Sequence, residues 1–325
     1  MTQQKPDTAR MDWMDELRGL AVLLVILHHI FGIPVVLGGG APPWVDFMRV
    51  LEPFRMPLLL VLSGMLLPRS LAKPSRLYYW GKVRGILWPF VLWTLITNLV
   101  LLHVSNLASP WTWIGGSWHL WFLAVLLACY LVGPLIRWIP AWLWVVPMVM
   151  LEPFVGTSSY RRILWYGAFF FLGAALSVFA SRWQGVRWPV PAVLLVASAG
   201  FGVWVASPVG TYERGPVAFL ASATGVAAIV WVAPRAPRIR ALQFVGRESM
   251  VFYIVHFGAV GATWLLIGEL PWWILFPVLA VAAYGVPLLL TRVSSSFLFT
   301  LPSLKEKPAT ASGPATSQQL RGQTS

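Results

Sequence analysis

The sequence predicts an all-α fold, a polytopic bundle of about ten membrane-spanning helices, and three observations carry that prediction. Of 325 residues, 58% are hydrophobic and only 11% charged, with mean hydropathy +0.72; a soluble domain carries about 25% charged residues. The apolar residues fall into separate segments, each long enough or nearly so to cross a bilayer as a helix. Lysine and arginine crowd into alternate connections between those segments, as the positive-inside rule requires.

The first segment, about 17–37, follows a polar stretch, 1–14, expected to be disordered and cytoplasmic. It opens with Asp15-Glu16-Leu17-Arg18 and reaches His28-His29 in mid-span. Arg18 and His29 are eleven positions apart, which on a helix puts them on nearly one face, about 16 Å apart along the axis. A bilayer core is about 30 Å thick, so Arg18 falls at the water boundary and His29 near mid-depth. An ionisable residue at that depth points to function. A neutral imidazole can take a proton from a hydroxyl and return it to a leaving group, and a permanently charged guanidinium suits phosphate. The alternative is an anchoring arginine and a histidine bonded to a neighbouring helix. His28 lies about 100° round the helix and reads as a packing or hydrogen-bonding residue. The segment runs into Gly38-Gly39-Gly40-Ala41-Pro42-Pro43 without a small-residue cleavage site, so it reads as a retained span.

The second segment, 47–67, carries Pro53 and Pro57, which free carbonyls and invite a kink. Glu52 and Arg55 can pair on one face, and Ser63-Gly64 permits close helix contact. The third, 83–103, begins with Lys82-Val83-Arg84. With Arg69, Lys73 and Arg76 these cations can neutralise a nucleotide-like phosphate, or mark topology and touch anionic lipid. The fourth, 118–136, opens with Ser117-Trp118-His119-Leu120-Trp121, which suits either an aromatic belt or a sugar-stacking surface. The fifth, 141–156, is the weakest, being short and carrying Pro147, Glu152 and Pro153. Plain apolar spans follow at 163–181, 189–207 and 215–233. The ninth, 244–267, places Glu248, Ser249, Phe252 and His256 on roughly one face, with His256 in mid-span. A tenth, 271–293, precedes residues 294–325, whose Ser, Pro, Thr, Gln and Lys content reads as a disordered cytoplasmic tail.

With a cytoplasmic N-terminus, fifteen lysines and arginines lie inside and only Arg161, Arg162 and Arg214 outside. Both termini are therefore expected in the cytoplasm, in a multi-pass protein of the plasma membrane. That asymmetry accounts for the net charge of +13 without a nucleic-acid partner. The one cysteine, Cys129, excludes an internal disulfide, and no metal-ligand spacing appears. No internal repeat or inverted symmetry points to a transporter.

Five motifs stand in a fixed order: Asp15-x-x-Arg18-Gly19-x-Ala21 with His29; Met56-Pro57-Leu58-x-x-x-x-Ser63-Gly64; Lys82 and Arg84 with Trp88-Pro89; His119-Leu120-Trp121-Phe122-Leu123; and Gly246-Arg247-x-Ser249-x-x-x-Tyr253-x-x-His256. Together they resemble the acyltransferase family 3 of integral membrane O-acyltransferases, over about residues 12–293. The resemblance implies about ten spans in one acyltransferase domain, 15–293. It implies transfer of an acyl group, often acetyl from acetyl-CoA, to hydroxyls of glycans, glycolipids or glycosylated metabolites of the cell envelope. It also implies His29 as the catalytic histidine and Arg18 as its partner towards CoA. His119 and His256 become site-lining residues.

On this reading Arg18, Lys82 and Arg84 bind the donor, acyl-CoA being a co-substrate and no cofactor or metal being bound. His119, Trp121, Glu52, Arg55, Ser249 and His256 line the site or its acceptor end. His29 serves as general base or carries the acyl group itself. Some members of the family add an extracytoplasmic hydrolase-like domain. Residues 294–325 do not read as one, so the acceptor is expected to be acylated in the membrane domain, or a separate extracytoplasmic protein to receive the group. The competing class is a transporter of a lipid-linked or sugar-like substrate, its buried histidines relaying protons.

Overall fold

A computed structural model describes residues 11–38, 45–292 and 296–302. Nine helices among them are long and apolar enough to cross a membrane. The core helices are α1 (Asp12–Val36), α2 (Glu52–Met65), α3 (Trp88–Val100), α4 (Trp121–Val132), α5 (Trp142–Leu151), α6 (Ser158–Gln184), α7 (Pro189–Ala206), α8 (Pro216–Val232), α9 (Arg240–Arg247), α10 (Ser249–Ile267) and α11 (Trp272–Arg292). Shorter helical turns extend several of them, so that the second span covers Phe47–Leu71, the third Ser75–Val100 and the fourth Trp118–Arg137.

The fifth expected span is the exception, its apolar helix covering only Trp142–Phe154. At 1.5 Å per residue that is about 20 Å, short of the ~30 Å core. The chain nevertheless returns through this stretch. Arg162, near the start of α6, lies over the ring of Trp121 at the start of α4, so both helices begin on one side of the bundle. Residues 138–157 therefore run back past α4, and Glu152 at their far end is ion-paired to Arg161.

The first helix begins at Asp12, earlier than residue 17, and so takes in part of the stretch expected to be disordered. Asp12 and Asp15 sit in its first turn, where negative charge meets the positive helix end. Glu16 holds α9 against it: its carboxylate accepts from Ile239 N–H at 2.9 Å and Gln243 Nε2 at 2.8 Å, and pairs with Arg238 at 3.3 Å. The expected span 244–267 is in fact two helices, α9 and α10, broken at Glu248. Two residues before the break, Gly246 lets α9 lie against α1, because a Cβ there would overlap the carbonyl of Asp15.

Pro53 starts α2 at its first turn, where its missing N–H is no loss, and only Pro57 is internal. Gly64 meets the backbone of Phe170 in α6, the close contact the sequence leads one to expect. In the third span a π-turn, Val83–Leu87, precedes Trp88-Pro89, where Pro89 has no N–H for the carbonyl of Gly85. Residues 296–302, expected in a disordered tail, pack on this span. Trp88 and Trp93 donate to the carbonyls of Phe297 and Leu298, and Phe299 stacks on Trp93 at 5.5 Å. Two indole donors and an apolar Phe-Leu-Phe run explain the difference; the rest of the expected tail lies outside the described residues.

Candidate active site

One face of α1 carries Arg18, Val22, Val25 and His29, spaced four, three and four residues apart. Arg18 and Val22 line a cavity of about 200 Å³; Val25 and His29 line a second of about 140 Å³. Tyr253 of α10 is a wall of both. The two chambers therefore run along one helix face, Arg18 in one and His29 in the other.

The Arg18 chamber is closed by Leu59, Ser63, Phe122, Leu126, Ser249 and Met250. Lys82 is near its edge: its Nζ lies 3.5 Å from the centre of the Tyr130 ring, and Tyr130 donates to the carbonyl of Ser63. Arg84 lines neither cavity, and its Nε donates to the carbonyl of Leu301 at 2.5 Å. Ser249 shares the chamber of Arg18 rather than that of His29.

The second chamber collects His28, His29, Glu52, Arg55, Met56, Trp121 and Tyr166. His119 and His256, from two other helical segments, pack behind His29 with ring centres 6.4 and 5.0 Å from it. His256 Nε2 lies 3.0 Å from His29 Nδ1, and His256 Nδ1 lies 3.0 Å from the carbonyl of Phe252. A carbonyl only accepts, so His256 Nδ1 carries its proton and Nε2 its lone pair. That lone pair takes the Nδ1–H of His29. His29 Nε2 is then unprotonated and has no hydrogen-bond partner among the described residues.

His119 is fixed in the same way. Its Nε2 donates to the carbonyl of Ile254 at 2.9 Å, Tyr253 donates to its backbone carbonyl, and Phe257 stacks on its ring at 4.6 Å. Its Nδ1, and that of His28, are buried without a partner in the described residues. Arg55 is buried and donates to the carbonyl of Met48 at 3.4 Å. Glu52 and Arg55 both face the cavity, but no ion pair joins them among the described residues.

At the far end of this chamber Glu152 is 0% exposed. Arg161 pairs with it at 2.9 Å and Arg214 at 3.4 Å. The rings of Trp121 and Tyr166 lie 4.7 Å apart, tilted by 31°, with Arg162 over the first ring and Arg214 over the second, each at 5.8 Å. The three arginines that break the charge asymmetry thus gather at one place.

The sequence matches the acyltransferase domain of acyltransferase family 3 across residues 11–292. The chain belongs to this family. No curated protein and no solved structure shows significant similarity to it. Its apolar helices and its family make it a multi-pass membrane acyltransferase.

Within this acyltransferase domain the fold brings together most residues singled out in the sequence. His29, Glu52, Arg55 and Trp121 line one cavity, His119 and His256 back it, and Arg18 and Ser249 share its neighbour. Arg84 stays apart. Sequence reasoning set His28 aside as packing, yet it lines the cavity, and it passed over Tyr166, Arg162 and Arg214. A signal for the arginines was present: they were the exceptions to an otherwise clean charge rule. Among the described residues no group of three or more His, Cys, Asp or Glu has a metal-holding arrangement.

Proposed function

We propose that this acyltransferase moves an acyl group, acetyl in the simplest case, from acyl-CoA to a hydroxyl of a glycan, glycolipid or glycosylated metabolite of the cell envelope. The observation that carries the reading is the pair of chambers divided by Tyr253, a cationic one at Arg18 and a histidine-lined one at His29.

The donor enters from the cytoplasm, its phosphates near Arg18 and Lys82, with Arg84 further out. The thioester reaches past Tyr253. The acceptor comes from the opposite side, between Trp121, Glu52 and Arg55. His29 Nε2 takes the hydroxyl proton as that oxygen attacks the thioester carbonyl. The carbon–sulfur bond breaks, and His29 returns the proton to the leaving thiolate of CoA. His256 keeps His29 in the tautomer that has Nε2 free, and His119 lines the site behind it.

The charge distribution supports a sidedness for this reading. The Arg18 end carries Lys82, Arg84 and the residues around Leu301, and most basic connections of the sequence lie there. That end is the cytoplasmic one, with both termini, in the plasma membrane. The outer arginines are held where they are by Glu152 and by the aromatic pair, which explains their breach of the rule.

Sealed membrane vesicles of the two orientations test this. Labelled acetyl-CoA supplied only to the cytoplasmic face should label acceptor on the other face. Label confined to acceptor on the face that received acetyl-CoA would overturn the two-sided reading.

A further inference from the structure

Arg162 has a guanidinium with no hydrogen-bond acceptor among the described residues. Among the other arginines that are not exposed, Arg49, Arg55, Arg84, Arg161 and Arg214 each donate to a carbonyl or carboxylate, and Arg18 too is engaged. Arg162 is half-buried and donates to none among the described residues; its guanidinium lies over the face of Trp121. A guanidinium offers five N–H donors in a planar fork that matches an oxyanion.

The surroundings sharpen this. Arg161 and Arg214 share a single carboxylate, Glu152, and Arg162 has none of its own among the described residues. Glu213, next to Arg214, pairs with none of them among the described residues. The cluster keeps an excess of positive charge at the outer end of the His29 chamber. It also stands on the side of the membrane where the positive-inside rule disfavours arginine. Trp121 and Tyr166, the rings beneath these cations, are themselves walls of that chamber. Two tilted aromatic rings in the chamber wall, with an unfilled guanidinium over one of them, fit a sugar bearing a negative group.

We infer that Arg162, assisted by Arg214, binds an oxyanion on the acceptor, a carboxylate or phosphate on the sugar, while Trp121 and Tyr166 take the ring. The acceptor class is therefore an acidic or phosphate-bearing glycan rather than a neutral one. This rests on the acyltransfer reading above for the word acceptor, but not for the binding.

The test uses the full chain in nanodiscs of zwitterionic phosphatidylcholine, with methyl glucuronide, methyl glucoside and inorganic phosphate as probes, read by calorimetry. Glucuronide should bind at least about tenfold tighter than glucoside, equivalent to 1.4 kcal/mol, and phosphate should compete with it. Arg162→Gln should abolish the preference and Arg162→Lys should keep part of it. Retained acetyl-CoA binding shows that each variant is folded. Glucuronide binding no better than glucoside, or unchanged by Arg162→Gln, overturns the inference. So does a requirement for Arg162 seen only when phosphatidylglycerol is put in the disc, which would make the group a lipid anchor. A glucuronide preference without any acetyl-CoA binding would sink the acyltransfer reading and leave the oxyanion site standing.

Discussion

Replacing His256 separates its part in the reaction from simple packing. In the structure the chain Phe252 C=O, His256, His29 fixes which nitrogen of His29 is bare, through contacts of 3.0 and 3.0 Å. His256→Ala leaves the Nδ1–H of His29 without its acceptor in a buried site, a loss of about 1–3 kcal/mol. The imidazole is then free to turn or to exchange tautomers, and some of its population presents an N–H to the acceptor instead of a lone pair. At 1.36 kcal/mol per factor of ten, kcat should fall about five- to 150-fold. KM for acetyl-CoA should stay nearly unchanged, because Arg18, Ser63 and Ser249 lie in the other chamber. His256→Gln, whose amide oxygen can accept the same N–H, should restore part of the rate. The assay is label transfer from acetyl-CoA in membranes with matched protein levels. A His256→Ala enzyme with native kcat, or one whose defect is confined to KM for the donor, would refute the tautomer argument.

Other perturbations read other parts of the site. Arg18→Ala should raise KM for acetyl-CoA at least about tenfold with a smaller effect on kcat, since one phosphate-facing charge is worth about 1.5–3 kcal/mol when hydrogen-bonded; steady-state kinetics with varied donor checks it. Trp121→Ala should weaken acceptor use about tenfold through lost stacking and leave donor binding alone, which a split of the two KM values would show. Glu152→Ala removes the buried acceptor that two partly exposed arginines share and should cost about 1–3 kcal/mol of stability, measured as a lower thermal midpoint in detergent. Gly246→Val should drive α9 away from the carbonyl of Asp15 and lower the yield of folded protein, read by size-exclusion profile; an unchanged profile would count against the close α1–α9 contact.

Much of this site was legible because helices impose a period. The eleven-residue offset between Arg18 and His29 places both on the cavity face of α1, and the structure puts Val22 and Val25 between them on that face. Glu52, Arg55 and Trp121 were picked out as polar or aromatic groups at span ends, and they do meet. What escaped depended on how separate helices are stacked. The 100° step from His29 to His28 suggests that His28 turns away, but α2 closes over both, so the cavity is wide enough to include it. The break at Glu248 coincides with the polar run Arg247-Glu248-Ser249, which in the sequence reads as the entry to the span, while the helix before it is held by a neighbour, the backbone of Asp15 against Gly246. The start of the tail was misjudged by composition: the polar majority of 294–325 masks Phe297, Leu298 and Phe299, two of whose carbonyls accept from indoles. The role of His256 as partner to His29 could not be read from spacing, since it rests on two nitrogens 227 residues apart in sequence.

The most direct test of the account is transfer of labelled acetyl from acetyl-CoA to the glycan and glycolipid fractions of membranes that contain either the native chain or His29→Ala at equal level. General-base work contributes about 10²- to 10⁴-fold, so the variant should lose label by at least a hundredfold while still binding acetyl-CoA. Equal labelling by the two proteins would remove His29 from the reaction and contradict the account.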